Sequence, residues 1–275
     1  EEYGGAGLDY LTLALVLVFS VTRIIFIPQG EFVSFAALSM AALQAGKLPQ
    51  VVWMLIGLAV ITLLVEGWRH LRGLRVDWMS TLVWTVLLPL VAAGLVFGLQ
   101  PSSQWAQTLA VLALITPMGP LLYRLAFRPL AHATVLVLLI VSVALHGVLV
   151  GLGLVFFGAE GSRTTAFSDA RWDLGGLPIT GQSLVVIAAT ALLLVAMFVF
   201  FERSIIGKAL RATAINRVGA RLMGIPTELA GDMSFALAAV IGAICGILIA
   251  PITTIYYDTG FLIGLKGFVA AIVGG

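Results

Sequence analysis

Four ionisable side chains lie inside or beside long apolar stretches of this 275-residue sequence, and they are the first candidates for chemistry. They are Arg23, Glu31, His146 and Lys266. An ionised group in hydrocarbon costs free energy unless it is paired, hydrogen-bonded or in contact with water. Such side chains therefore mark solute pathways, proton relays or buried structural pairs.

A structural role competes with a functional one at each of these positions. Arg23 lies near the inner end of its apolar run, so its long side chain can reach the lipid headgroups. For His146 we favour a hydrogen bond between helices over a proton relay. Glu31 can cap the second helix through the helix dipole, which we favour, or line the inner mouth of a path. For Lys266, a structural ion pair and a pathway-lining role stay equally open.

Known catalytic patterns are incomplete in this sequence. Asp258-Thr259-Gly260 matches the triplet of aspartic proteases, but no second such Asp lies in an apolar run to complete the pair of carboxylates. The Gly-Lys pairs at 46–47 and 207–208 lack the other residues of a phosphate-binding loop. Cys245 is the single cysteine, which excludes sites built on several thiolates. We expect no enzyme active site, no cofactor and no metal, so any ATP hydrolysis must take place in another chain.

Composition restricts the class of protein. Hydrophobic residues make up 61% of the chain and charged residues 10%, whereas soluble domains carry about a quarter charged residues. The formal net charge is only +2, which excludes a disordered tail protein and a nucleic-acid-coating module. A chain of this length cannot hide so much apolar surface from water. We therefore expect a polytopic membrane protein in a lipid bilayer, with no nucleic-acid partner.

The apolar runs predict an all-α fold of about eight to nine membrane segments in a single domain that covers residues 1–275. About 20 residues are needed to cross a bilayer as a helix. The run at 32–45 is shorter, so it must cross tilted, be broken, or re-enter on the same side. The complete set of runs is 10–27, 32–45, 50–66, 81–99, 105–127, 133–157, 183–201 and 233–256, with another that begins at 261.

The basic residues predict that the N-terminus lies outside. With all eight runs crossing, the inner loops are 28–31, 67–80, 128–132 and 202–232. Ten basic residues fall in these loops or at an inner helix end, against three outside, which agrees with the positive-inside rule. The ten are Arg69, Arg72, Arg75, Arg124, Arg128, Arg203, Lys208, Arg211, Arg217 and Arg221, and the three are Lys47, Arg163 and Arg171. The outer loop 158–182 is expected to form a short ordered cap.

The inner loop 202–232 predicts one short amphipathic helix. Arg211, Ile215, Val218 and Leu222 recur at helical spacing, with basic residues beside them. Gly224, followed by Ile225 and Pro226, is a helix-stop signal. Two interpretations stay open on these residues alone: the helix lies on anionic headgroups, or it is a docking surface for another protein.

A series of motifs resembles the permeases of branched-chain amino-acid ABC importers. Residues 204–212 (Ser-Ile-Ile-Gly-Lys-Ala-Leu-Arg-Ala) and 220–225 (Ala-Arg-Leu-Met-Gly-Ile) are similar to the family's cytoplasmic loop. The small-residue helix at 235–248, the Gly-rich segment 260–275, the Phe-Arg-Pro-Leu element at 127–130 and Gln29-Gly30-Glu31 also match in order. The resemblance covers most of 124–275 and, more loosely, 8–45.

The sequence departs from the family in two respects. Three spans separate the Gly-Glu element from the Arg-Pro element, where the family usually has one. The family also continues past the final Gly-Gly, whereas this sequence stops at Gly275 inside an apolar run, so we expect the chain to be truncated at its C-terminal end. The chain also begins without Met, which is a second sign of a fragment.

The resemblance implies a translocation path for branched-chain or similar amino acids across a plasma membrane, the bacterial inner membrane. It also implies a second homologous permease chain, two cytoplasmic ABC ATPase subunits and an extracytoplasmic solute-binding protein. The loop 202–232 would be the coupling loop, with Gly207, Lys208, Arg211, Ala212, Ala220 and Gly224 as its contact residues. Gln29, Gly30, Glu31 and Lys266 would line the path.

Other functions compete with this one. A permease of the same superfamily for urea, other amides, sugars or nucleosides would share the same motifs. A self-contained secondary transporter should show inverted repeats and paired carboxylates within the membrane, and only Glu31 and Glu66 approach it.

Overall fold

The computed structural model describes residues 4–74, 76–99, 103–131, 133–174 and 177–274, so Arg75, Glu1, Glu2 and Gly275 lie outside the described residues. Helices dominate these ranges. They are α1 (Gly4–Thr22), α2 (Gln29–Gln44), α3 (Val51–Leu71), α4 (Trp78–Leu82), α5 (Leu88–Leu99), α6 (Gln104–Ile115), α7 (Met118–Leu122), α8 (Val135–Phe157), α9 (Gly181–Arg203), α10 (Ile205–Ile215), α11 (Arg217–Leu222), α12 (Thr227–Ile249) and α13 (Thr259–Gly274).

Six helical stretches of the described chain are long and apolar enough to cross a membrane. They are Val51–Leu71, Trp78–Gly98, Gln104–Leu130, Val135–Phe157, Gly181–Arg203 and Thr227–Ile249. Shorter apolar helices cover Thr12–Thr22 and Thr259–Ala270. The predicted polytopic helical fold is therefore confirmed, while the exact number of crossings and the side of the N-terminus stay predictions.

Two of these stretches contain irregular turns. A π-helical turn at Val83–Leu87 joins α4 to α5, and another at Tyr123–Phe127 follows α7. The helix of the 105–127 run is interrupted at Pro117, because α6 ends at Ile115 and Pro117 is the N-cap of α7. A proline lacks the backbone N–H and its ring crowds the preceding turn, so the helix cannot continue through it unbroken.

Helix α12 is the centre of the bundle, with 72% of its apolar stretch buried, against 17% for α8 and for α9. Helices α1 and α2 pack along it, and α13 packs on both of them. Two of the Gly-x3-Gly pairs, 242/246 and 260/264, have close neighbours in the described chain, and those of Gly242 and Gly246 include Phe32 and Val33 of α2. The pairs 94/98 and 147/151 have open space where a side chain would be. These small residues therefore allow close contact between α12 and α2.

Helix α2 begins halfway along the neighbouring helices rather than at their ends. The side chain of Gln29, its first residue, donates to the carbonyl of Ala238, the twelfth of the 23 residues of α12, at 2.8 Å. Two residues before Gln29, the backbone N–H of Ile27 donates to the hydroxyl of Ser142 of α8 at 2.9 Å. The prediction of a loop at 28–31 was therefore wrong, because residues 29–31 are helical and buried. Helix α2 is unbroken from Gln29 to Gln44, and whether the 32–45 run crosses tilted or re-enters stays a prediction.

The irregular segment 23–28 is held inside the bundle by an aromatic side chain. Phe26 is fully buried, and its ring lies 4.7 Å from that of Phe235 and 6.0 Å from that of Phe127. Burial of a phenylalanine stabilises a fold by about 1.5–3 kcal/mol. This contact fixes the chain between the end of α1 and the start of α2.

The loop at 158–182 carries a small β-hairpin, which the all-α prediction did not include. Its strands are β1 (Arg171–Leu174) and β2 (Leu177–Thr180), which pair antiparallel. An isolated bridge joins Ser162 to Ile255, and the backbone N–H of Thr165 donates to the side chain of Gln44 at 2.8 Å. The expected ordered cap is present, and it covers the ends of α2 and α12.

Candidate functional site

A carboxylate and an imidazole meet at the start of α2, at mid-height of α8. Oε1 of Glu31 lies 2.6 Å from Nδ1 of His146, and the Glu31 side chain is only 1% exposed. The ring of His146 stacks on Phe261 of α13 with a centroid distance of 4.4 Å. The hydrogen bond between helices predicted for His146 is present, and its partner is an acid.

The predicted capping role of Glu31 takes a different form in the structure. The N-cap of α2 is Pro28, and no side chain caps this helix end by a hydrogen bond. The Glu31 carboxylate lies in the first helical turn, where the helix dipole favours a negative charge, but its hydrogen bond goes to His146.

Two buried oxygens at this helix start have no hydrogen-bond donor among the described residues. They are Oε1 of Gln29, whose side chain amide donates to Ala238, and Oε2 of Glu31. Gln29 is fully buried. Leaving a buried acceptor unsatisfied costs about 1–3 kcal/mol, so such groups usually meet a donor from water or a ligand. The arrangement can therefore accept hydrogen bonds from a molecule that enters the bundle.

Two glycines allow α13 to start against this cluster. A Cβ atom at Gly30 would collide with the carbonyl of Gly260, and one at Gly260 would collide with the carbonyl of Gly30. The N–H of Gly260 donates to Oγ of Ser34 at 2.7 Å. Gly30 is thus a packing position, since its lack of a side chain brings Phe261 to His146.

Lys266 does not join the cluster. It lies on the exposed side of α13, and no described carboxylate forms an ion pair with it. The neighbouring Gly267 faces α1, where its carbonyl accepts from Thr12 at 3.0 Å. The structure therefore brings Gln29, Gly30 and Glu31 together and leaves Lys266 on another face of the bundle.

An apolar cavity of about 270 Å³ adjoins the cluster between α1, α8 and α13. Phe261 belongs to both, since it lines the cavity and stacks on His146. The other lining residues are Leu15, Ile25, Ile27, Leu139, Gly264, Leu265 and Phe268. A polar pair beside a small apolar cavity is typical of sites for small amphiphilic molecules.

A second buried polar group, an ion pair, joins the spanning stretches Trp78–Gly98 and Gln104–Leu130 to α12. Arg124 binds the Asp232 carboxylate with Nε–Oδ1 at 3.0 Å and Nη2–Oδ2 at 2.5 Å. Its remaining donors go to Thr81 at 2.9 Å and Ser80 at 2.6 Å. Both charged side chains are almost fully buried. A bidentate pair in which each guanidinium nitrogen has a hydrogen-bond partner offsets the cost of burying the charges.

Arg128 extends this network toward α3. Its Nη1 lies 2.8 Å from Oε1 of Glu66, which also accepts from Arg69 at 3.3 Å, and its Nη2 contacts Glu228 of α12. Sequence reasoning counted Arg124 and Arg128 only as inner-face charges and missed these partners. The signal was present as two acids four residues apart, Glu228 and Asp232, on one face of an apolar helix.

The predicted coupling helix is two helices, so the prediction of a single amphipathic helix was wrong. Asn216 lies in extended backbone with φ −148° and ψ 97°, and it ends α10. Its side chain then caps α11 by accepting from the N–H of Gly219 at 2.9 Å. Asn side chains compete with helical backbone bonds and favour caps, which explains the break. Gly224, with φ +81°, ends the segment as predicted.

The contact residues predicted in this segment have different environments. Gly207 packs against the carbonyl of Phe200, where a Cβ atom would collide, and Ala220 is buried. Lys208 is exposed. Arg211 folds back onto α9, where Nη1 lies 2.7 Å from Oε1 of Glu202 and Nη2 donates to the carbonyl of Phe201 at 2.6 Å.

Large apolar side chains are exposed along this pair of helices. Ile215 is 87% exposed, Leu222 82% and Met223 83%. Together with Ile205 and Val218, they form an apolar face that nothing in the described chain covers. Apolar patches of this kind mark contacts with proteins or membranes.

Comparison with known families decides the affiliation of this helical chain. A family model described as the permease component of the branched-chain amino acid transport system matches residues 7–275. The chain belongs to this permease family. Its membership agrees with the motifs at Gln29-Gly30-Glu31 and in the α10–α11 segment.

Curated relatives of this permease chain carry related names. The high-affinity branched-chain amino acid transport system permease protein LivH of Salmonella typhimurium is 28% identical over 199 residues, which is 68% of this chain and 63% of that protein. BraD of Pseudomonas aeruginosa is 26% identical over 184 residues, 64% of this chain and 59% of BraD. A probable LivH of Methanocaldococcus jannaschii is 29% identical over 174 residues, 61% of this chain and 55% of that protein.

The chain thus matches less than two thirds of the length of these permease relatives. No solved structure matches it.

Proposed function

We propose that the chain is a membrane-spanning permease subunit of an ATP-binding-cassette importer and forms part of the translocation path for branched-chain or similar amino acids. The names of the curated relatives support this assignment. In this proposal it resides in the plasma membrane, the bacterial inner membrane. It assembles with a second homologous permease chain and two cytoplasmic ATPase subunits, and it receives solute from an extracytoplasmic binding protein.

The observation that carries the proposal is the start of α2 inside the bundle, with Gln29 and Glu31 buried there. Broken helices with polar ends at mid-membrane are how transporters build solute sites in hydrocarbon. The unpartnered oxygens of Gln29 and Glu31 can accept hydrogen bonds from the ammonium group of an amino acid. Gly30 supports the site by its close contact with Gly260. Lys266 lies on the exposed face of α13, so it lines the path only if the second permease chain packs against that face.

The segment 202–232 acts as the coupling loop in this proposal. Its exposed apolar side chains fit a groove on an ATPase, and Lys208 supplies charge beside them. Gly207 and Gly224 set the entry and the exit of the segment, Ala220 is buried, and Ala212 is half-buried. Arg211 fixes α10 on α9, so motion of the segment is transmitted as the motion of a rigid unit.

The test is ATP-dependent uptake by the complete importer in proteoliposomes, with ATP inside and binding protein outside. We expect Glu31→Gln to abolish most leucine uptake while the complex still assembles, because the carboxylate is lost at constant shape. The matched control is Glu160→Gln, an exposed glutamate of the outer loop, which should leave uptake unchanged.

Two results would contradict the proposal. Leucine uptake by the unaltered complex without ATP would indicate a secondary transporter. Normal uptake by the Glu31→Gln variant would remove the start of α2 from the path. Replacing leucine by urea, a sugar or a nucleoside in the same assay tests the other solute classes.

A further inference from the structure

A basic groove lies where the coupling segment meets the membrane domain. It encloses a cavity of about 590 Å³ between the end of α1, the start of α8 and helices α10 and α11. We call it the arginine groove, after its lining residues Arg23, Arg217 and Arg221. The groove is distinct from the Gln29–Glu31 cluster, since the two share no lining residue.

The three guanidinium groups of the arginine groove lack acidic partners in the described part of the chain. No ion pair is formed by Arg23, Arg217 or Arg221, and Arg221 donates only one side-chain hydrogen bond, to Thr227 at 3.2 Å. By contrast, Arg124 and Arg128 each form ion pairs with carboxylates. Three unpaired cations around one cavity repel one another, so the groove favours an anion.

The backbone presents Arg23 to the groove at a conformational cost. Arg23 has a φ of +59°, and it is the one non-glycine residue with positive φ in the described chain. A non-glycine residue in this region is strained, and such strain is concentrated at functional sites. Helix α1 ends at Thr22, whose hydroxyl accepts from the N–H of Ile24 at 3.3 Å, and this turn directs Arg23 into the groove.

The groove also has an apolar wall beside a surface suited to lipid. Val21, Val135 and Leu138 line it, and the next residue of α8, Leu136, is 65% exposed. The first turn of α8, with its positive dipole end, belongs to the same wall. Basic pockets between membrane helices bind the headgroups of anionic phospholipids.

We propose that the arginine groove binds the phosphate headgroup of an anionic phospholipid, with an acyl chain along Val135 and Leu138. A free phosphate would offer the same charge but would leave the apolar wall uncovered. Because the groove is built from α1, α8, α10 and α11, the bound lipid joins the coupling segment to the membrane domain. An importer that lacks this lipid would hold its coupling helices less firmly.

The test uses native mass spectrometry of the complete importer after extraction from nanodiscs of phosphatidylcholine mixed with phosphatidylglycerol. We expect the unaltered complex to retain phosphatidylglycerol selectively. The double variant Arg23→Gln/Arg217→Gln should weaken this retention by roughly 25-fold, about fivefold for each arginine removed. The charge-matched control is Arg72→Gln/Arg203→Gln, which removes two exposed arginines that do not line the groove.

Further measurements distinguish a bound lipid headgroup from a free phosphate ion and from a contact with the ATPase. Inorganic phosphate added at high concentration should not displace the lipid, because it cannot cover the apolar wall; complete displacement would overturn the proposal in favour of a free anion. Equal retention of phosphatidylglycerol by the groove variant and the control would also overturn it. The single variant Arg23→Gln, which leaves the coupling segment unaltered, must lower retention if the groove is the site. Loss of ATPase co-purification from Arg217→Gln, with lipid retention unchanged, would assign the groove to the ATPase instead.

Discussion

Glu31 Oε1 and His146 Nδ1 lie 2.6 Å apart, so a buried acid at the start of α2 is tied to the middle of α8. Removing the histidine leaves the carboxylate buried without that partner. We expect His146→Leu to lower the free energy of unfolding by about 1–3 kcal/mol. The measurement is thermal unfolding of the purified permease in detergent.

The control for this pair is His70→Leu, because His70 lies at an exposed end of α3 and its ring packs on that of Trp78. Equal melting temperatures for His146→Leu and the unaltered protein would show that the contact between α2 and α8 contributes nothing to stability.

Asp232 is the only acid bound to Arg124 in the described chain, and both are buried. Asp232→Leu leaves the guanidinium uncompensated, and we expect a loss of about 3–5 kcal/mol in the free energy of unfolding. The double variant Arg124→Leu/Asp232→Leu removes both charges and should recover much of that loss. Chemical denaturation followed by tryptophan fluorescence would measure the free energy of unfolding of each variant. A double variant that is no more stable than Asp232→Leu would argue against the ion pair.

Gly30 has no room for a side chain because the carbonyl of Gly260 occupies that space. We expect Gly30→Ala to separate α2 from α13 and to reduce both stability and uptake. Gly57→Ala is the matched control, since Gly57 also lies in a helix but has open space around it. The melting temperature and leucine uptake of the two variants, measured in parallel, would decide. Similar behaviour of both variants would speak against a tight contact at Gly30.

Substitution of Arg211 tests whether its ion pair with Glu202 holds the coupling segment on α9. Arg211→Glu places an acid beside Glu202, and we expect it to abolish co-purification of the ATPase while insertion of the permease into the membrane persists. Exchange of the charges, in Glu202→Arg/Arg211→Glu, should restore co-purification if Arg211 acts by fixing α10 on α9. Failure of the exchange to restore it would mean that Arg211 contacts the ATPase directly. Normal co-purification with Arg211→Glu alone would remove the residue from the coupling role.

Sequence reasoning located helices well because each needs a long apolar run, but it placed the start of α2 poorly. Lipid-facing and buried positions are both apolar, so periodicity carries no information about depth, and Gln29 looked like a loop residue. The two acids of α12 indicated that buried partners exist, but the sequence could not identify Arg124 as the partner of Asp232, since the two residues are 108 positions apart. The break at Asn216 was readable in principle, because Asn before Arg-Val-Gly is a strong helix cap.

The contrast in burial between α12 and the helices α8 and α9 has a consequence for sequence drift. A residue of α12 is surrounded by protein on most sides, so an added methyl group there would disturb the packing of neighbouring side chains. Most residues of α8 and α9 lie at the surface of the described chain, where one aliphatic side chain can replace another without loss of packing. Among homologues we therefore expect α12 to retain its small residues, while α8 and α9 diverge freely in sequence and keep only their length and apolar character.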